Sequence, residues 1–183
     1  MTRLCEAGPL VRGQLTSGAV PEKPLHRAIN EYYKWTLADA KLEHKAHIPV
    51  TAIVRAKSNE PTESALNRLT DALRDLGRQY RDKWRHPKFK ESDNNQIFTH
   101  PMPTLVGFLV KYTVSAIVSL DSSVPRNPVR TLHTGDWSVV NQDAWHAMAI
   151  AIAFAQQKEY LMKLDAEGEL GPEVDDEGDD PDA

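Results

Sequence analysis

A stretch rich in basic and aromatic side chains is the strongest chemical feature of this sequence. Residues 68–90 contain eight Lys or Arg residues against three Asp residues, a local net charge of +5, with Tyr80, Trp84 and Phe89 interleaved among the cations. Lys and Arg neutralise phosphate groups, and aromatic rings provide stacking platforms for unpaired bases. The residues that this pattern predicts to bind nucleic acid or an acidic protein are Arg74, Arg78, Tyr80, Arg81, Trp84, Arg85, Lys88 and Lys90.

The same charges also fit a solvated helix face without a ligand. Pairs of opposite charge recur at a separation of three residues, which brings the two partners together on a helix. The pairs are Asp71 with Arg74, Asp75 with Arg78, and Asp82 with Arg85. The sequence alone leaves both interpretations open.

A second group of candidate residues lies around a predicted turn near the end of the sheet. Asp121, His133 and Asp136 combine two carboxylates with an imidazole, a set that can bind a divalent ion or act as a general acid–base pair. These residues motivate the alternative that the protein is a divalent-metal-dependent phosphodiesterase resembling a nuclease. No spaced signature joins them, and Asp136 is equally suited to a turn before a helix. We therefore assign no catalytic residue from the sequence.

The histidines form no complete metal-binding pattern. His44 and His47 share one face of a helix with Glu43 beside them, but no third ligand is placed. His146 lies in an apolar stretch, where a hydrogen-bonded core histidine is the usual finding. The sequence also lacks a Gly-rich phosphate loop, a nucleophile-elbow serine, a paired-cysteine motif and an EF-hand loop. We predict neither a metal nor a cofactor.

Residues 104–120 dominate the predicted fold. All the even-numbered positions from Val106 to Leu120 are apolar, and several of the odd-numbered ones are polar. Since a strand sends alternate side chains to opposite faces, this pattern predicts one long strand or a bent pair of strands, with a bend or bulge near Gly107 or Lys111. It also predicts that Val114 faces the core and that Thr113 faces away from it.

The remaining elements complete a predicted α+β domain with a small, mainly antiparallel sheet. Apolar residues at intervals of three and four predict helices, and short alternating runs predict further strands. The helices are expected at about 25–45, 61–84 and 141–164, and the shorter strands at 48–55 and 129–134. The alternative is an all-α bundle, in which residues 104–120 form a helix.

The charge distribution divides the chain into three parts. Residues 1–24 are predicted to form an irregular arm because Gly and Pro recur there, and residues 25–164 to form a single α+β domain. Residues 165–183 carry ten acidic side chains and no Lys or Arg, a composition typical of a disordered tail. Residues 1–164 contain 22 basic and 16 acidic residues, so their net charge is +6.

These observations favour a non-enzymatic binding module that engages nucleic acid or an acidic partner through residues 74–90. In a third hypothesis, the protein has a structural or assembly role, with the apolar last helix at an oligomer interface.

Cys5 is the only cysteine, which excludes an internal disulfide and fits a reducing compartment. With no apolar leader or bilayer-length run in the sequence, we expect an intracellular protein, cytoplasmic or nuclear, with no membrane partner.

Overall fold

A computed structural model describes residues 2–86 and 98–171. The helices and strands follow one another in the order α1 (Thr2–Cys5), α2 (Ala7–Ser17), α3 (Glu22–Asp39), β1 (Thr51–Arg55), α4 (Thr62–Trp84), β2 (Thr104–Lys111), β3 (Val114–Asp121), β4 (Arg130–Asp136) and α5 (Asp143–Ala166).

The four strands form one mixed sheet in the order β1-β2-β3-β4. β1 and β2 are parallel, with Thr51 opposite Val106 and Arg55 opposite Val110. The β2–β3 and β3–β4 pairs are antiparallel. A sheet packed by helices confirms the predicted α+β class, and the alternative all-α bundle is wrong.

Of the long strand or bent pair predicted over residues 104–120, the structure shows a pair, because these residues form the β2–β3 hairpin. Tyr112 and Thr113 make the two-residue turn, and Lys111 pairs with Val114 across it. The apolar alternation continues through the turn by coincidence, whereas the hairpin reverses which positions share a face. Ser115 therefore pairs with Val110 and is buried, while Val114 is exposed.

β2 is covered on both faces by helices, and the two apolar clusters on these faces contain most of the core. Val106, Phe108 and Val110 pack in a cluster with residues of α3 and α5. Leu105 and Leu109 pack in a second cluster with residues of α4. Alternate residues of a strand point to opposite faces, so α4 covers one face of β2 and the pair α3 and α5 covers the other.

Residues 1–24 do not form the irregular arm predicted from the sequence. Most of residues 2–17 lie in α1 and α2, and Leu4, Ala7 and Val11 are buried in the cluster with α3 and α5. Gly8 packs against the Asp143 side chain so closely that a Cβ atom there would overlap with it. The low helix propensity of the glycines is outweighed by this packing on the domain.

Two predicted helix boundaries and the start of the predicted tail also need correction. The first long helix covers Glu22–Asp39 rather than residues 25–45, and α5 continues to Ala166, inside the predicted tail. Lys45 forms an ion pair with Asp165, and the Gly171 amide donates to the Ala46 carbonyl at 2.9 Å. Residues 165–171 are therefore packed on the domain, and residues 172–183 lie outside the described residues.

The turn between β2 and β3 reverses which of two substitutions should destabilise the protein more: the apolar alternation of the sequence predicts Val114→Asp, and the structure predicts Thr113→Asp. Thr113 is 4% exposed, whereas Val114 is 39% exposed. Hydrogen bonds from the backbone and side chain of Ser138, followed by one from the Thr113 side chain, lower the pKa of Asp136. We expect Thr113→Asp to lower the free energy of unfolding by about 2–3 kcal/mol, since it buries a second carboxylate beside Asp136. Val114→Asp should cost less than about 1 kcal/mol.

Urea denaturation of the two variants tests this difference. Thr113→Val is the matched control, because it keeps the volume, removes only the hydroxyl group and should cost about 1 kcal/mol. A larger loss in Val114→Asp than in Thr113→Asp would contradict the hairpin.

Candidate functional site

A cleft lies at one end of the parallel strand pair. Its volume is about 720 Å³, and it is bounded by the loop before α3, the β1–α4 loop and the turn after β2. Because β1 and β2 run parallel, their carboxyl ends meet at this edge, which is where ligands bind in many α/β sheets. The residues that contribute side chains or backbone to the cleft are Gly18, Ala19, Val20, Pro21, Glu22, Lys23, Arg55, Ala56, Lys57, Ser58, Asn59, Glu60, Pro61, Lys111 and Tyr112.

Four basic residues, Lys23, Arg55, Lys57 and Lys111, line this opening, which we call the cationic cleft. Lys111 donates from Nζ to Thr62 Oγ1 at 2.9 Å. Within residues 2–86 and 98–171, none of the four is paired with a carboxylate. Their mutual repulsion costs free energy, and an anion bound among them would relieve it.

One of the two acidic residues that line the cationic cleft, Glu60, is paired with an arginine. Arg68 donates to Glu60 from Nε and from Nη2, at 2.9 and 2.7 Å, and the Lys57 amide also donates to this carboxylate at 2.7 Å. The hydrogen bond from Arg68, followed by that from Lys57, lowers the pKa of Glu60 to about 2. Glu60 is therefore ionised at neutral pH, but Arg68 balances its charge, which leaves Glu22 as the remaining acid in the lining.

Tyr112 adds an exposed aromatic ring to the rim of the cationic cleft. Its side chain is 55% exposed, and its backbone has a φ of +53°. Residues other than glycine rarely adopt this left-handed conformation, which costs about 1–2 kcal/mol. Two-residue hairpin turns ordinarily contain a positive φ, so the turn itself accounts for this conformation. It leaves the aromatic ring in solvent at the rim of the cleft.

The predicted basic segment lies on the exposed side of α4 and is largely paired within the helix. Arg74 lies 3.8 Å from Asp71, Arg78 lies 2.6 Å from Asp75, and Arg85 lies 3.5 Å from Asp82. Arg81 donates to the Ser122 carbonyl at 2.8 Å. Arg74, Arg78 and Arg85 thus form the i,i+3 pairs of the alternative interpretation, whereas Arg81 is held by a backbone carbonyl.

The predicted stacking residues of that segment face the interior. The Tyr80 side chain is 1% exposed, and its hydroxyl donates to the Ile48 carbonyl at 2.6 Å. Trp84 is buried against the ring of His100. Neither ring is available to a ligand in this structure. Lys88 and Lys90 lie outside the described residues.

Asp121, His133 and Asp136 do not converge on one site. Asp121 lies at the end of β3 opposite Thr104, whereas Asp136 pairs with Val114 at the other end of the strand, about 23 Å away. The Asp121 carboxylate caps a turn by accepting hydrogen bonds from the backbone amide and the hydroxyl group of Ser123. The Asp136 carboxylate does the same with the amide and hydroxyl group of Ser138. The predicted catalytic constellation is therefore absent from the described residues, and so is any group of three or more His, Cys, Asp or Glu side chains that could hold a metal ion.

His133 instead pairs with His146, through a distance of 3.1 Å between Nε2 and Nδ1. His146 is buried and packs against Trp137. Burial, with a smaller contribution from His133, lowers the pKa of His146, so that its imidazole is neutral at physiological pH. This arrangement agrees with the interpretation of His146 as a hydrogen-bonded core histidine.

The cationic cleft was not found by sequence reasoning because Lys23, Arg55, Lys57 and Lys111 come from three separate parts of the chain. Only two of them are close in sequence, so no local run of charge marks them. The one available signal was that Arg55 and Lys111 each end a strongly apolar strand. That signal requires knowing that the two strands are parallel neighbours.

No helix within residues 2–86 and 98–171 is both long enough and apolar enough to cross a lipid bilayer. Comparisons of the chain with protein-family models, with curated proteins and with solved structures found no match.

Proposed function

We propose that this protein is a binding module for single-stranded nucleic acid and that the cationic cleft is its binding site. In this proposal, Lys23, Arg55, Lys57 and Lys111 contact backbone phosphates, and Tyr112 stacks on an unpaired base. The lining of one cleft by four basic residues, without carboxylate partners in the described residues, is the observation that supports it.

The combination of charge and an exposed ring favours a single strand over other anions. Proteins that bind single strands without sequence preference use a basic groove for the backbone and aromatic side chains for the bases. A free inorganic anion would need only the cations and would make no use of Tyr112. Binding of this kind would take place inside the cell, in the cytoplasm or the nucleus, where the exposed Cys5 thiol stays reduced.

The first test measures the affinity for a fluorescent single-stranded oligonucleotide over a series of salt concentrations. Three or four phosphate contacts should give a slope of about −2 to −3 in a plot of log K against log salt. Arg55→Gln/Lys57→Gln should reduce this slope by about 1.4, because two phosphate contacts are lost. Its affinity should fall most strongly at low salt.

Arg74→Gln/Arg78→Gln is the matched control, since it removes the same net charge from the paired face of α4. Its affinity and salt slope should stay close to those of the unmodified protein. Equal effects of the two double substitutions would mean that only the overall charge matters. A larger effect of the α4 substitutions would place binding on the segment predicted from the sequence.

The second test separates binding from folding at Tyr112. Tyr112→Gly should weaken oligonucleotide binding by about 1–3 kcal/mol, the usual contribution of one stacked base. It should also raise the free energy of unfolding by about 1 kcal/mol, because glycine adopts a φ of +53° without strain. Tyr112→Phe, which keeps the ring, should bind as the unmodified protein does. Full affinity in Tyr112→Gly would remove stacking from the proposal.

A further inference from the structure

The outer face of α5 carries apolar side chains that nothing covers in the described part of the chain. Trp145 is 67% exposed and Ile152 is 54% exposed, and both lie on the side of the helix that points away from the sheet. Ala155 and Glu159 are also exposed along this line. We define the α5 stripe as Trp145, Met148, Ile152, Ala155, Glu159 and Met162.

The residue intervals of the α5 stripe are the same whether they are counted from Trp145 or from Met162. Successive members are separated by three, four, three, four and three residues, the pattern of a helix–helix seam. The midpoint lies between Ala153 and Phe154. A second copy of the helix, placed antiparallel about that midpoint, meets every position of the stripe with another position of the stripe.

We propose that the α5 stripe is the interface of a twofold-symmetric homodimer in which the two α5 helices pack antiparallel. Trp145 of one copy then packs on Met162 of the other, and Ile152 packs on Ala155 at the centre. Met148 faces Glu159, whose methylene groups lie on the thioether while the carboxylate reaches solvent. Each contact occurs twice, as a twofold axis requires.

The position of Glu159 disfavours a parallel arrangement of the two helices. A parallel pair in register brings each residue against its own copy, so that the two Glu159 carboxylates would repel each other. In the antiparallel arrangement these carboxylates are separated along the helix axis by about 16 Å.

A segment of the same chain is a poorer occupant of the stripe. Residues 172–183 carry seven acidic side chains and no basic ones, a composition unsuited to covering an apolar surface. A second copy of α5 provides matching apolar side chains. The α5 stripe is about 26 Å long on a helix about 10 Å across, so it presents roughly 260 Å², well below the roughly 800 Å² per partner of a stable complex. We therefore expect a weak, reversible dimer rather than an obligate one.

Thiol cross-linking in the full chain tests the antiparallel register. In a Cys5→Ser background, Met148→Cys/Glu159→Cys brings two thiols together across the interface, whereas in one chain they are about 16 Å apart. A short bismaleimide should convert most of this variant to covalent dimer. The single variants Met148→Cys and Glu159→Cys are the controls and should remain monomeric on a denaturing gel.

Either of two results of the cross-linking would overturn the proposal. Dimer formation by the single variants to the same extent would indicate a parallel pair or random collision. Failure of the double variant to cross-link, although both thiols react with a monofunctional maleimide, would mean that the two copies do not meet in this register.

Sedimentation equilibrium gives an independent measurement on the unmodified chain. We expect a concentration-dependent shift from monomer to twice the monomer mass, and Ile152→Glu should abolish it. Val124→Glu, which places the same charge on an exposed apolar residue outside the stripe, should leave the shift unchanged. A protein that stays monomeric to millimolar concentration, or an equal loss of dimer in both variants, would contradict the proposal.

Discussion

Burial of β2 on both of its faces is the constraint on which the rest of this structure depends. Leu105, Val106, Phe108, Leu109 and Val110 are all 5% exposed or less. Burying five such side chains contributes about 8–15 kcal/mol as an upper bound, which is comparable to the whole stability of a domain. α4 on one face, and α3 with α5 on the other, are therefore both required. Gly107 helps on the α4 side, where a Cβ atom would come within 2.9 Å of Leu73.

The same constraint determines where the cationic cleft forms. Since α4 covers one face of β2, the chain passes from β1 through α4 into β2, a crossover that makes the two strands parallel. Their carboxyl ends then lie side by side. Arg55 and Lys111 end these strands at the same edge, and the loop carrying Lys57 leaves from it toward α4. The basic residues line one cleft because of strand order, although they are dispersed along the sequence.

The elements with a strong local signal were predictable from the sequence, and the pairing between distant elements was not. The apolar stripe of α4 and the apolar centre of α5 gave helices within a few residues of their observed ends. The exchange of faces at the Tyr112 turn was missed because apolar residues on both sides of the turn continued the alternation by chance. Lys23, Arg55, Lys57 and Lys111 were missed because only the parallel β1–β2 pairing and the packing of α3 against these strands bring them together. Tyr80 and Trp84 were misassigned because their side of α4 is the buried one.

The central claim is that the carboxyl edge of β1 and β2, and not the outer face of α4, is the surface that binds an anionic ligand. The most direct measurement is a titration of ¹⁵N-labelled full-length protein with a short single-stranded oligonucleotide, followed by amide chemical shifts. We expect saturable shifts concentrated at residues 55–60 and 111–113 and at Lys23, with little change at residues 74–85. Shifts confined to residues 74–85, or no saturable shift at any residue, would contradict this account.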